Sequence, residues 1–410
     1  MAQISPGDFR KALAASASVL GRYTGPELFF TQSVALGTPQ FVNIPRTLNL
    51  NRPITDIWIK LAGRLAVTVA NFTSVSAEGF PNLLQQIQIQ GTHKDFGNIT
   101  PIKMSGATAF VWPRLFQIRG NGTQLVNTVY QASPNNTVAN TSQVTEEYRP
   151  FVSSFVGSTA GSPYDFVVIW RIPVGPIMGL GQALKRQATN FAWMQQDWGD
   201  TLQMQLNFGD ASSLGDPTGA TTAFTAFGSG SGSPQLSVHL GYTLLTQFNN
   251  LVRSGVCIRT EQPTSNQQTA LSTGAILQTL QKQITTNLLI KTGAIQTAGL
   301  TAGVDTLATL SDTQLDVTQI QVDNKPVRNN QDNLVAKAHA EAYFGTVHPA
   351  GYFLQSFVDG QNPLLAYRGD GLGGGSQFQV VSNCLTASAN NRQRFIQEMI
   401  FGGPFPAQRG

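Results

Sequence analysis

Two stretches of the chain, Thr201-Leu-Gln-Met-Gln-Leu-Asn-Phe208 and Gln235-Leu-Ser-Val-His-Leu-Gly-Tyr-Thr-Leu244, alternate apolar and polar residues without a slip. A period of two sends successive side chains to opposite faces, so each stretch predicts a strand with one buried face. In the first, the inward set is Leu202, Met204, Leu206 and Phe208. Near the end of the chain, Ser376-Gln-Phe-Gln-Val-Val381 and Arg394-Phe-Ile-Gln-Glu-Met-Ile-Phe401 repeat the arrangement more loosely. The pattern reads as two β-rich units in tandem.

Other elements fill in around these. Phe41 to Leu50, Ile54 to Val69 and Leu83 to Gln90 read as successive strands, after a Gly- and Pro-punctuated stretch from Tyr23 to Thr38. Ser105 to Gln117 carries Phe110, Trp112 and Phe116 and reads as a short element crossing the sandwich. Asn121 to Ser162 and Gly209 to Pro234 have the composition of long surface loops. Between them Phe166-Val-Val-Ile-Trp170 is a strand, followed by an excursion from Pro173 to Gly199. In the second unit the expected strands are Ile284 to Lys291, Leu315 to Val322, Tyr352 to Phe357, Phe378 to Val381 and Phe395 to Phe401. Asn330 to Phe344 is a helix with Asp332 near its start and Gly345 just past its end.

Residues 5 to 21 form the clearest helix near the start. Ser5 can cap, Pro6 fits the first helical position, Asp8 suits the positive end of the dipole, and Gly21 stops it. Phe9, Leu13, Ala17 and Leu20 share one face, with Arg10, Lys11 and Arg22 beside it. Such a helix either packs on a neighbouring domain or leaves the body as an arm that touches a membrane or another subunit. The division that follows is an N-terminal helical arm over 1–38, a first sandwich over 39–250, a linker over 251–280 and a second sandwich over 281–410.

Length agrees with this division, since 410 residues suit two domains of about 150 to 200 residues. Charged residues are only 12% of the chain, yet 41% are hydrophobic and 24 are Phe. That is enough apolar surface to fold. The polarity comes from Gln, Asn, Ser and Thr, which makes a neutral skin poorly protected from association and suited to being covered by identical neighbours. The net charge of +4 and the scattering of basic residues, with Lys185-Arg186 and Arg392 with Arg394 the densest groups, do not predict nucleic-acid binding. Cys257 and Cys384 match no metal spacing and form no disulfide framework. The apolar run Ala12 to Ala15 is too short for a signal peptide, and Phe166 to Leu180 is broken by Arg171, Pro173 and Pro176, which excludes a membrane span.

The order and character of these elements resemble the double jelly-roll major capsid proteins of tailless icosahedral bacteriophages with an internal membrane, the tectivirus type. Phe166-Val-Val-Ile-Trp-Arg-Ile-Pro-Val174 is similar to that family's strand ending in an aromatic and a proline. The following excursion, the strand Leu202 to Phe208 and the Tyr-containing strand leading to the linker come in the same order. So do the helix Asn330 to Phe344 and strand Tyr352 to Phe357 in the second half, and the N-terminal helix. The resemblance implies two tandem eight-stranded jelly-roll sandwiches, three chains forming a six-barrelled prism, and loops Asn121 to Ser162 and Gly209 to Pro234 as towers or clamps. It implies a virion shell assembled in the host cytoplasm, with copies of the chain, penton and minor capsid proteins and an internal viral membrane as partners.

Catalytic chemistry finds little support. His93, His239, His339 and His348 share no motif, and His239 sits in an alternating strand as a solvent-facing or packed residue. Glu146 and Glu147 are adjacent and point to opposite sides of an extended chain. Gly369-Asp-Gly-Leu-Gly-Gly374 has the letters of a dinucleotide fingerprint without its strand and helix. Arg368-Gly369-Asp370 reads as a tight turn, and the sequons at Asn71, Asn98, Asn121, Asn135 and Asn140 follow from composition. We expect no enzyme, no cofactor and no metal, and a self-assembling shell protein. The runner-up is a secreted β-rich carbohydrate-binding protein or glycosidase, which would need two converging carboxylates.

Overall fold

The chain in its first half runs β1 (Leu20–Ser33), β2 (Pro39–Pro45), β3 (Ile54–Val67), β4 (Leu84–His93), β5 (Gly97–Met104), α1 (Gly106–Leu115), β6 (Thr128–Ala132), β7 (Thr141–Gln143), β8 (Tyr164–Pro173), β9 (Trp198–Phe208), β10 (Phe224–Phe227) and β11 (Gln235–Leu245). The second half runs β12 (Val256–Pro263), β13 (Ala275–Thr279), β14 (Ile284–Ile295), β15 (Leu307–Leu310), β16 (Leu315–Val322), β17 (Lys325–Asp332), α2 (Asn333–Phe344), β18 (Tyr352–Ser356), β19 (Tyr367–Arg368), β20 (Phe378–Cys384) and β21 (Asn391–Phe401). The structure is a computed structural model and describes residues 20–45, 53–67, 78, 80–116, 128–132, 141–143, 164–176, 192–210, 213, 224–227, 233–245, 255–263, 275–281, 283–295, 307–357, 367–368, 376–384 and 391–401.

The two halves are built alike. In the first, one sheet has the order β1-β11-β3-β8, extended by β6 and β7, and the facing sheet the order β2-β9-β4-β5. In the second, β12-β21-β14 continues into β18 and β19, and β13-β20-β16-β17 faces it. Taking the principal strands of each unit in chain order, with β18 and β19 sharing one place, both units pair first with last, last with third, and third with sixth. Both place the second, seventh, fourth and fifth strands in the other sheet. That is the order of a jelly roll. In both units the fifth strand runs directly into a helix, α1 after β5 and α2 after β17.

The alternating strand β9 lies as its pattern predicts. Leu202, Met204, Leu206 and Phe208 are buried, facing Ile57, Ile59 and Leu61 of β3 and Val168 and Trp170 of β8 across the first core. The second core gathers Leu288, Ile290, Phe353, Phe378, Val380 and Phe395. Asp332 caps α2 by accepting from Val335 N at 2.9 Å, and Gly345 ends it at φ 65, a left-handed conformation that glycine adopts without strain.

Several expectations are corrected. Tyr23 to Thr38 is not a stretch outside the first sandwich, because β1 pairs with β11 from Leu20 onward. Its pairing is interrupted between Leu20 and Tyr23, Thr24 and Glu27, and Leu28 and Phe30, so the alternation is lost, while an edge strand tolerates Pro26. Of the expected loops, Asn121 to Ser162 contributes β6 and β7, and Gly209 to Pro234 contributes β10. Residues 251–280 are not only a linker, since they contain β12 and β13. Within the expected element Ser105 to Gln117, Gly106–Leu115 forms a buried α-helix.

The register can be checked directly. Leu206→Asp places an unpaired charge in the first core and is expected to lower stability by about 3 kcal/mol or more, whereas Gln205→Asp on the outer face changes it far less. Equal losses in denaturant titrations would contradict the register.

Candidate functional site

The two rolls join in one continuous sheet. β5 of the first pairs in parallel with β12 of the second, through Arg259 with Ile102 and Thr260 with Lys103, completing a ten-stranded sheet. The second roll's β12-β21-β14-β18 layer is therefore buried on both faces. One face carries Leu288, Ile290, Phe353 and Phe395 into its own core, and the other carries Leu289, Leu354 and Ile396 into the larger core shared with the first roll.

On that second face the apolar residues alternate with charges. Arg259 Nε donates to Glu398 at 2.7 Å, with side-chain exposures of 1% and 0%, and its other nitrogens donate to the carbonyls of Pro173 and Gly175 in the first roll. Glu398 also accepts from Thr286 Oγ1 at 2.7 Å and Asn287 Nδ2 at 2.6 Å. Arg394 pairs with Glu261 at 3.4 Å, and Lys291 pairs with Glu78 of the first roll. Buried charges are tolerated when paired and hydrogen-bonded; all three cations are paired, and Arg259 and Arg394 are hydrogen-bonded to their carboxylates as well.

Helix α1 lies in the seam with all ten residues buried. Its ends are held from the second roll. At the start, Glu261 accepts from Ser105 N at 2.6 Å and Ser105 Oγ at 3.2 Å, placing a carboxylate at the positive end of the helix. Gly106 must be glycine there, because a Cβ would stand 2.0 Å from the Leu84 carbonyl. At the other end, Thr346 Oγ1 donates to Arg114 O at 3.2 Å, and His348 Nε2 lies 2.9 Å from Leu115 O, so neutral His348 with its proton on Nε2 satisfies that carbonyl. The loop bearing Thr346 and His348 is itself fixed, since Glu341 accepts from His348 N at 2.8 Å and Lys337 Nζ donates to Asp312 at 2.7 Å and to Pro349 O at 2.8 Å.

These surroundings set the protonation states. Burial pushes His348 down to about 4, against the raising effect of its bond to Leu115 O and with Lys337 lowering it further. Burial alone would raise Glu261, but Lys291, Arg394 and the Ser105 donors outweigh it and hold the carboxyl below its ordinary value. Burial also pushes the Cys257 thiol up, which removes it as a nucleophile.

The outer face of β2-β9-β4 has the opposite character. Gln90 donates to Gln203 at 2.8 Å, Gln88 to Gln90 at 3.0 Å, Gln205 to Asn207 at 3.0 Å and Asn207 to Gln86 at 2.9 Å. This ladder of neutral amides is bordered by Phe41, 53% exposed. Leu28 on β1 and Leu334 and Val335 on α2 are further exposed apolar side chains.

Of the arm residues, Phe9, Arg10, Lys11, Leu13 and Ala17 lie outside the described residues. Leu20 and Arg22 belong to β1, so the expected helix cannot run through them. Glu146, Glu147 and Gly369 to Gly374 also lie outside the described residues. His93 stacks on Phe96 at 4.7 Å, and His239 is half-buried on β11. Of the seam residues, Arg259, Glu261, Lys291 and Glu398 were given no role from the sequence, and His348 was set aside with the other histidines. The one available signal was the number of charges inside otherwise apolar strands. Among the described residues no cluster of His, Cys, Asp and Glu could hold a metal, and no helix is long and apolar enough to cross a membrane.

No protein-family model and no curated protein matches the sequence. Solved structures do. The chain is similar to the STIV MCP, with a TM-score of 0.58 and 13% identity over 94% of this chain and 98% of that one. The fold is a double jelly roll. It is similar also to PBCV-1 VP54, with a TM-score of 0.53 and 14% identity over 93% and 96% of the two chains. A third double jelly roll of this kind is the major capsid protein P2 from bacteriophage PM2, with a TM-score of 0.50 and 11% identity over 93% and 98%.

Acid should loosen the seam of this double jelly roll. His348 is neutral when folded and takes up a proton near pH 6.5 when unfolded, so its stabilisation is full above pH 6.5 and is lost as pH falls towards 4. By pH 4.5 the expected loss is about 2–3 kcal/mol. The difference in melting temperature between the native chain and His348→Gln should narrow over this window. A pH-independent difference would contradict the role assigned to His348.

Proposed function

We propose that this chain is the major capsid protein of an icosahedral virion, that three copies form a pseudo-hexagonal capsomer, and that capsomers assemble into the shell. The observation that carries the reading is the repeated roll. Two jelly rolls of identical strand order are fused through one sheet, so three such chains would present six similar lobes around a threefold axis. The match to capsid proteins over nearly the full length of both chains supports the same reading.

Lateral association would use surfaces such as the amide ladder with Phe41, where large areas can be covered without burying charge. The five buried carboxylates among the described residues, Asp56, Glu78, Asp197, Glu261 and Glu398, are each paired with a cation. In the finer reading, the chain belongs to the tectivirus type, with penton and minor capsid proteins as partners and an internal membrane beneath the shell. Residues before β1, with Phe9, Arg10, Lys11, Leu13 and Ala17, would then act as an assembly or membrane-facing arm.

Light scattering on the purified chain is expected to give a trimer that moderate salt leaves intact, because its contacts are apolar and amide rather than ionic. Introducing Gln88→Lys with Gln205→Lys should dissociate the trimer while leaving the melting temperature of the rolls nearly unchanged. A monomeric native chain would overturn the proposal. Deleting residues 2–19, which stops short of β1, should preserve trimers and reduce the yield of closed particles in electron micrographs. Normal particles from the truncated chain would refute the arm.

A further inference from the structure

Lys291 on β14 and Glu78 of the first roll meet in the seam with side-chain exposures of 0% and 1%. Lys291 Nζ touches Glu78 Oε1 and makes no hydrogen bond of ordinary geometry. The Tyr352 ring lies 5.6 Å from Nζ, and Tyr352 Oη donates to Glu78 Oε1 at 3.5 Å. Glu261, oriented by its two bonds from Ser105, feels the charge of Lys291 directly. An amine, a carboxyl group and a second carboxylate are thus enclosed together, away from water.

Two charges this dry are costly to keep. The reactive form of the pair is a neutral amine facing a carboxylic acid, reached by passing one proton from the ammonium to Glu78. A nucleophile and an electrophile held in contact also gain the high effective concentration of an intramolecular reaction, and the excluded water no longer favours hydrolysis.

We propose that Lys291 and Glu78 condense to an amide, a covalent staple between the two rolls. The Nζ lone pair attacks Cδ of the protonated Glu78 carboxyl and forms the C–N bond. Glu261 takes a proton from the attacking nitrogen and returns it to the departing hydroxyl. The C–O bond breaks, one water leaves, and the amide keeps a single N–H. No oxidant or co-reactant is needed. One positive and one negative charge disappear together, so the Arg259–Glu398 and Arg394–Glu261 pairs remain as they were.

Intact-mass spectrometry on the full chain, denatured after folding, tests this directly. The expected mass is lower than that of the sequence by one water, trypsin should not cleave after Lys291, and a branched peptide should join the segment containing Glu78 to that containing Lys291. Lys291→Met should restore the full mass. Glu261→Gln should leave freshly folded protein as a mixture of linked and unlinked chains. Full mass for the native chain, or water loss mapped elsewhere such as to an aspartyl succinimide, would overturn the staple. Complete linkage in Glu261→Gln would overturn the proton transfer assigned to Glu261.

Discussion

The sheet β12-β21-β14-β18 is buried on both faces, and the rest of the structure depends on how its charged residues are matched there. A layer covered twice must match its charges internally, since water reaches neither side. Arg259, Arg394 and Lys291 each meet a carboxylate, and two of these interactions reach across to the first roll through Glu78 and through the carbonyls of Pro173 and Gly175. The same layer supplies Glu261 to one end of α1, while the loop after α2 supplies Thr346 and His348 to the other. Helix α1 is consequently a first-roll element whose termini are completed by the second. Neither roll is satisfied alone.

This division of labour sets interior against surface. Three ion pairs are buried in the seam, where they give direction and register to an otherwise apolar contact. The outward face of β9 and β4 is left with amides that bond to one another. Amides already bonded to one another can be covered without burying charge. A protein with ionic interior joints and a neutral amide face outside would suit the proposed shell, in which copies make many identical contacts while each holds its own shape.

Where one face of a strand meets solvent, its sequence was readable. β9 and β11 announce themselves by strict alternation, and α2 by Asp332 and Gly345 at its ends. β12 does not, because Val256, Cys257, Ile258, Arg259 and Glu261 are all buried, and a strand covered on both faces has no reason to alternate. With polar Thr260 and Gln262 interspersed, it resembles a linker. β1 was hidden differently, by irregular pairing at a sheet edge. The seam was least legible of all. Lys291 and Glu78 are more than two hundred residues apart, and nothing local to either residue reports the other.

Native-state hydrogen exchange measures the seam most directly. If the matched layer holds the two rolls as one body, amides of β12, β21 and α1 exchange only through the same global opening as those of β9 in the first core, with equal free energies and equal dependence on denaturant. If β12 and α1 exchange earlier, through an opening that leaves β9 protected, the rolls are independent domains in contact and the seam does not bind them into one cooperative unit.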